Sequence, residues 1–324
     1  MIRSMYSGIS GLKNFQTKLD VIGNNIANVN TYGFKKGRTI FKDLISQTTS
    51  GASGATNTRG GVNPKQVGLG SQLSAIDTIH AGGSMQSTGN TLDLAVSGDG
   101  FFQVADGVGV DPTATTGDFT NPSYTRAGNF YMDNNGYLVD GNGKYIIGFA
   151  ATGWDGTSAT VDASYPDADS VVSAGAVDNL DQDADGIPEI PLTNVANALY
   201  TPIRIPTNAQ SMGVGQDGTV TFVDADGQLK WAGQLVLAKF PNPGGLTKVG
   251  QNYYQKSANS GEPFNQVATN EGIGSVNSGF LEMSNVDLSE EFTDMIVAQR
   301  GFQANTRIIT TSDSILEELI NLKR

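Results

Sequence analysis

Leu288-Ser289-Glu290-Glu291-Phe292-Thr293-Asp294-Met295 opens the stretch of this chain whose reading decides its architecture. Leu288, Phe292, Met295, Phe302, Ile309, Leu316 and Ile320 share a spacing of threes and fours, with Gln299, Thr306 and Asp313 as polar gaps. That period lays one apolar stripe along a helix. Ser284-Asn285-Val286-Asp287 offers N-cap residues just ahead of it. The predicted helix runs roughly 35 residues, about 52 Å, which exceeds the roughly 8–20 residues of an ordinary globular helix. The other end of the chain carries the same pattern. Ile2, Met5, Ile9, Leu12, Leu19 and Ile26 recur at helical spacing, Gln16 and Gly23 are gaps, and Phe15, Ile22 and Val29 widen the stripe. This predicts a helix of roughly 25 residues, about 38 Å long. Asn28-Val29-Asn30-Thr31-Tyr32-Gly33 ends it, since Asn and Gly tolerate the left-handed backbone of helix stops.

Two long one-sided helices need a partner for their apolar faces, and the simplest partner is each other. Residues 1–42 carry seven bases and one acid, whereas 287–324 carry seven acids and four bases, so charge favours the pairing modestly. The competing arrangement packs both helices onto the chain's own globular body. Between them the sequence reads as β-structure. Leu92-Asp93-Leu94-Ala95-Val96 alternates, and Phe130-Tyr131-Met132 and Tyr137-Leu138-Val139 flank the hairpin signal Asp133-Asn134-Asn135-Gly136. Further short strands fall at 145–149, 203–206, 219–223, 235–240 and 253–254, punctuated by Asp-Gly turns. The predicted fold is mixed α and β: terminal helices paired as a coiled-coil-like stem, a β-rich body of barrel or sandwich type, and a small inserted outer β-domain. The domain division follows as a helical assembly domain at 1–30 and 285–324, a connector at 31–70, the body at 71–149 and 201–284, and the insert at 150–200.

Composition narrows the function. Charged residues make up 16% of the 324 and glycine accounts for 41 of them, so the chain is charge-poor and turn-rich. Of the net charge of −12, nine negative charges lie in residues 150–200, which contain no Lys or Arg. Such uncompensated charge belongs in solvent rather than in a packed interior. The basic stretch is short and sits on a helix with its own apolar stripe, which argues against nucleic-acid binding. There is no cysteine, so disulfides and thiol chemistry are excluded. No segment reaches the roughly 18 apolar residues of a membrane span, and Met1-Ile2-Arg3-Ser4-Met5-Tyr6-Ser7-Gly8 lacks the apolar core of a secretory signal. Export, if it occurs, is expected by a route that keeps the N-terminus.

Little in the sequence points to catalysis. His80 is the one histidine, no Gly-x-Ser-x-Gly elbow accompanies it, and a satisfied or exposed structural histidine is the reading adopted. Asp181-Gln182-Asp183-Ala184-Asp185-Gly186 matches the first half of a calcium loop, with Glu189 at the ninth position. The twelfth position is Leu192 rather than a bidentate Glu, so a solvated acidic turn is favoured over a calcium-dependent binding module. No cofactor and no metal are expected.

The chain ends also carry longer signatures. Ser7-Gly8-Ile9-Ser10-Gly11-Leu12, Gly23-Asn24-Asn25-Ile26-Ala27-Asn28 and Thr31-Tyr32-Gly33-Phe34-Lys35 resemble the N-terminal signature of bacterial flagellar rod and hook proteins. Gly279-Phe280-Leu281-Glu282-Met283-Ser284-Asn285-Val286 through Ala298-Gln299-Arg300-Gly301-Phe302-Gln303-Ala304-Asn305 resembles the matching C-terminal signature. Gly98-Asp99-Gly100-Phe101-Phe102 and Tyr124-Thr125-Arg126-Ala127-Gly128 are similar to the family body. Within the family, Val67-Gly68-Leu69-Gly70, Gly148-Phe149-Ala150-Ala151-Thr152-Gly153 and Ser289–Ile296 are most similar to hook sequences; a distal rod subunit is the alternative. The resemblance implies a structural subunit that polymerises into the curved tube joining rod to filament and transmitting torque. It implies many copies of the chain as partners, together with rod, hook-cap and hook–filament junction proteins and the flagellar type III export apparatus. It implies an extracellular place in the hook or basal body, no nucleic acid and no membrane insertion. The family-motif residues are Asn24, Asn25, Ala27, Asn28, Gly33 and Phe34. The self-assembly faces are expected at Ile9, Leu12, Leu19, Ile22 and Ile26 and along the C-terminal stripe from Leu288 to Ile320.

Overall fold

The computed structural model describes residues 2–107, 119–150, 201–270 and 272–322. The acidic stretch 150–200, with Asp181, Asp183, Asp185 and Glu189, lies outside the described residues apart from Ala150 at its edge. The chain divides into two compact units, Met1–Val29 with Lys35–Ile79 and Val286–Arg324, and Asn30–Phe34 with His80–Asn285.

The first unit holds helix α1 (Ile2–Ala27), strands β1 (Gly37–Asp43), β2 (Ser46–Ser50), β3 (Lys65–Gly68) and β4 (Ser71–Thr78), and helix α2 (Leu288–Asn321). The carboxylate of Asp287 caps α2 by accepting from the backbone N–H of Ser289 at 2.8 Å and of Glu290 at 3.4 Å. Glu290 and Glu291 in the first turn complement the positive end of the helix dipole. The two helices run antiparallel. Asn25 of α1 meets Glu291 of α2, Phe15 meets Gly301, Gly11 meets Asn305, and Gly8 meets Ile309. A Cβ placed on Gly301 would fall 2.5 Å from the Phe15 ring, and one on Gly11 would fall 2.8 Å from Oδ1 of Asn305. These glycines let the backbones approach closer than any larger residue permits.

Strand β1 pairs antiparallel with β4 from Gly37↔Thr78 to Asp43↔Ser71, with a register shift after Ile40. Asn14 of α1 donates to Ser71 Oγ at 2.8 Å, which ties this ribbon to the helix. β2 and β3 continue it as an exposed two-stranded ribbon extended by the bridges Ser53↔Val62 and Thr56↔Arg59. The division therefore runs differently from the boundaries read from sequence. Residues 35–79 belong with the terminal helices rather than forming a separate connector, because β4 supplies the partner that β1 needs.

The second unit is the β-rich body. Its strands are β5 (Met85–Ser87), β6 (Leu94–Ser97), β7 (Phe101–Gly107), β8 (Phe119–Thr125), β9 (Phe130–Met132), β10 (Leu138–Asp140), β11 (Tyr145–Ala150), β12 (Thr201–Pro202), β13 (Ser211–Val214), β14 (Thr219–Val223), β15 (Leu229–Lys239), β16 (Thr247–Gly250), β17 (Tyr253–Gln255), β18 (Phe264–Val267), β19 (Ser275–Ser278) and β20 (Phe280–Glu282). Twelve form an antiparallel sheet in the order β13-β14-β15-β11-β7-β8-β17-β16, with β9, β10, β12 and β18 at its sides. β19 pairs with β6 and β20 with β5. The hairpin signal at 133–136 closes β9 onto β10, with Gly136 N–H donating to Asp133 O at 3.0 Å. Leu94, Val104, Leu138, Ile203, Val220, Phe222, Leu237 and Val276 are fully buried and form the core. Alternation along β14, with Val220 and Phe222 inward and Thr219, Thr221 and Val223 partly exposed, gives the sheet one buried face.

The helix pair makes a direct contrast between two glycines. Gly301→Ala adds about 1 kcal/mol of helix propensity, but overpacking against Phe15 costs about 1–3 kcal/mol. Gly23→Ala meets nothing within 4 Å and gains the propensity alone. Thermal melts of the unassembled protein followed by helical circular dichroism are expected to show Gly301→Ala destabilised and Gly23→Ala stabilised.

Candidate functional site

The terminal helices are the candidate functional surface, and their packing divides the apolar residues into two sets. The seam between α1 and α2 includes Gly8, Gly11, Phe15, Ile22 and Asn25 on one side and Glu291, Ala298, Gly301, Asn305, Ile308 and Ile309 on the other, with Ile22 and Ala298 buried. Of the residues expected on the assembly faces, Ile22 alone is fully covered. Leu12, Leu19, Ile26, Met295, Ile309 and Leu316 are half-buried, and Ile9, Leu288, Phe292, Phe302 and Ile320 are exposed. Ile22 and Ile309 of the predicted stripes thus reach the seam, and the other stripe residues stay at least partly exposed.

A second apolar line runs down α2. Val297, Ile308, Ile315 and Leu319 are 55%, 45%, 41% and 47% exposed, and Leu322 continues the line. Sequence reading missed it. The signal was present in the seven-residue step from Ile308 to Ile315 to Leu322, but the stripe from Leu288 to Ile320 absorbed the periodicity.

The family-motif residues have distinct jobs. Asn25 is 1% exposed, and its side-chain amide holds both backbone groups of Gly37, donating to the carbonyl at 2.9 Å and accepting from the N–H at 2.9 Å. The same amide nitrogen donates to Glu291 Oε2 at 3.2 Å, so one residue of α1 fastens the start of β1 and the first turn of α2. Glu291 is 6% exposed. Burial pushes its carboxyl above the ordinary range, the Asn25 bond and Lys36 oppose that shift, and Glu290 and Asp294 add to it. Lys36 pairs with Glu290 at 2.7 Å and Lys18 with Asp294 at 3.1 Å, both on the rim. Asn28 turns its amide back onto the Asn24 carbonyl at 2.9 Å and helps close the end of α1. Asn24 and Ala27 are exposed.

Gly33 and Phe34 belong to the second unit. Gly33 has φ +69 and donates to the Glu282 carbonyl at 2.8 Å; a Cβ there would stand 2.6 Å from the Ala127 nitrogen. Only glycine fits both the left-handed backbone and the approach. Phe34 is buried, with the Lys248 ammonium 4.9 Å from its ring centre. Beneath this segment lies a buried ion pair, Arg126 to Glu282 at 3.4 Å, in which Arg126 also donates to the Gly98 carbonyl at 2.8 Å. Burial lowers the Arg126 pKa and Glu282 counteracts it.

His80 sits edge-on to Phe101 and Tyr254, with centroids 5.6 and 5.4 Å away. Among the described residues, no group of three or more acidic or histidine side chains is placed to hold a metal ion. No helix among them is long and apolar enough to cross a membrane.

The clamp yields a pH signature. The folded pKa of Glu291 lies above its unfolded value, near 4.3, so the favourable neutral state is fully present below that value and is lost as pH rises through the raised one. Thermal melts between acid and neutral pH are expected to show Glu291→Gln gaining stability over the native chain as pH climbs; parallel curves would contradict this. Asn25→Ala, which strands both Gly37 groups, is expected to cost about 2–3 kcal/mol.

Comparison with known proteins places these elements. The family described as flagella basal body rod protein matches residues 5–35, the flagellar hook protein FlgE/F/G D1 domain matches 95–222, and the flagellar basal body rod FlgEFG protein C-terminal family matches 277–322. Flagellar basal-body rod protein FlgG of Bacillus subtilis is 50% identical over 326 residues, covering 100% of both chains. Flagellar hook protein FlgE of Borreliella burgdorferi is 34% identical over 454 residues, and FlgG of the same organism 32% over 327, each again covering 100% of both chains. With its N-terminal helix, its body and its C-terminal helix each matched, and rod and hook proteins aligned to it end to end, the chain belongs to the flagellar rod and hook protein family.

Proposed function

We propose that this chain is a structural subunit of the flagellar hook, which polymerises through its terminal helices into a flexible tube joining rod to filament and transmitting torque. The observation that carries the reading is the exposed apolar line on α2, Val297, Ile308, Ile315 and Leu319, beside the half-covered Met295, Ile309 and Leu316. Large apolar side chains recurring along a helix and left half in water mark an interaction face, and covering the exposed half of each in a neighbour is worth about 1 kcal/mol. Pairing of the helices as a coiled-coil-like stem, with intrachain contact through small residues and interchain contact through the flanks, is the arrangement these faces favour. The partners proposed with this reading are copies of the chain itself, rod, hook-cap and hook–filament junction proteins, and the type III export apparatus.

The hook reading within the family rests on the stretches 67–70, 148–153 and 289–296, which are similar to hook sequences. A distal rod subunit is the second reading, favoured by the 50% identity to FlgG of Bacillus subtilis. Electron microscopy of the full chain under polymerising salt separates the two, with curved tubes expected for a hook subunit and straight rigid tubes for a rod subunit. Ile308→Glu with Ile315→Glu is expected to abolish tubes of either kind while leaving the monomer folded; tubes that persist would overturn assembly through α2.

A further inference from the structure

The segment Asn30–Phe34, held in place by Gly33 and Glu282, forms one wall of an open cleft of about 480 Å³ within the body. That size lies in the range of small-ligand sites, roughly 300–1,000 Å³. Its polar groups converge from separate parts of the chain. Asn30 and Tyr32 come from the motif segment, Asp93 from the turn before β6, Asn129 and Tyr131 from the start of β9, and Asn252 from the turn before β17.

Few of the polar groups in the cleft are bonded to one another. Asn252 donates to the Tyr32 carbonyl at 3.1 Å, and one oxygen of Asp93 accepts from the Asn90 amide at 3.2 Å. Among the described residues, the side-chain amides of Asn30 and Asn129 make no hydrogen bond, and neither does the second carboxylate oxygen of Asp93. Each amide offers a donor pair and an acceptor. Tyr131 lines the same cleft and is 53% exposed. No Lys or Arg lines the cleft, so nothing there would neutralise a phosphate.

We propose that this cleft is a binding site for a neutral saccharide. Sugar hydroxyls donate and accept at the same atom, which suits side-chain amides and a free carboxylate oxygen. The apolar C–H face of a pyranose ring suits an exposed tyrosine, whose ring is apolar and whose hydroxyl is polar. An extended peptide would be matched by a ladder of backbone groups along one strand; here the polar groups arise from four separate segments. The site is independent of the assembly faces on the helices, so its test does not depend on polymerisation.

The test is saturation-transfer NMR on the full-length unassembled protein with a β-1,4-linked N-acetylglucosamine tetramer, whose acetamido groups match the amides. Transfer to the sugar ring protons is expected. Tyr131→Ala should abolish it, and Asn129→Ala should raise the apparent Kd about fivefold, the equivalent of one ordinary hydrogen bond. Both positions lie at the surface of the cleft, and unchanged circular dichroism checks that the variants fold. Absence of transfer at about 10 mM sugar, weaker than the millimolar end of specific binding, would overturn the proposal. So would transfer unaffected by both substitutions. A photo-crosslinker at position 131 that captures a second copy of the chain regardless of added sugar would assign the cleft to self-contact instead.

Discussion

Phe15 lies against a residue with no side chain, Gly301, and that contact sets the spacing of the two terminal helices. Gly11 continues the close approach along α1, and the buried Ala298 lies one turn from Gly301 along α2. A seam whose closest contacts fall at glycine and alanine, with Ile22 the one fully covered large residue of the expected faces, leaves the large residues on either side partly uncovered. Those residues are pushed to the flanks, where Ile9, Phe292, Val297, Ile308 and Ile315 remain in water. The narrowness of the intrachain seam is therefore the reason that the helices present apolar faces at all. A conventional seam of interlocking leucines would satisfy the monomer and leave nothing to assemble with.

Charge contributes less than packing. Lys18–Asp294 and Lys36–Glu290 follow from the basic character of α1 and the acidic start of α2, but each lies at the rim, where such a pair is worth about 0–1 kcal/mol. The buried polar contacts are the specific ones. Asn25 meets both backbone groups of Gly37 and the carboxylate of Glu291, which fixes the position of β1 and the first turn of α2 relative to α1. In the body, Arg126 and Glu282 do the equivalent: the pair costs desolvation, and its backbone and side-chain contacts hold Gly33, Gly83 and Gly98 around it. In both units, Asn25 and Glu282 of the terminal signatures grip backbone.

Much of this was legible in the sequence because periodicity reports burial. The two helices, the β9–β10 hairpin at Asp133-Asn134-Asn135-Gly136 and the strands around Leu94, Val220 and Leu237 all announce themselves by spacing or turn chemistry. The centre of the helix seam was not legible. Hydrophobic periodicity weights Leu12 and Leu19 above Gly8 and Gly11, yet glycine decides where two backbones meet. Nor was the role of Asn25, since a buried amide looks like any polar gap until its partners are known. The grouping of 35–79 with the helices was hidden for a third reason: the pairing of β1 with β4 spans a long stretch of Ser, Thr and Gly that reads locally as a linker.

The central claim is that the flanks of α2 are uncovered in the single chain and become covered by neighbouring copies. Hydrogen–deuterium exchange compared between the unassembled protein and its polymer measures this most directly. The account predicts that the turns carrying Val297, Ile308, Ile315 and Leu319 exchange readily in the single chain and become strongly protected in the polymer, while the core strand Leu229–Lys239 is protected in both. Equal exchange along α2 in the two states would contradict it.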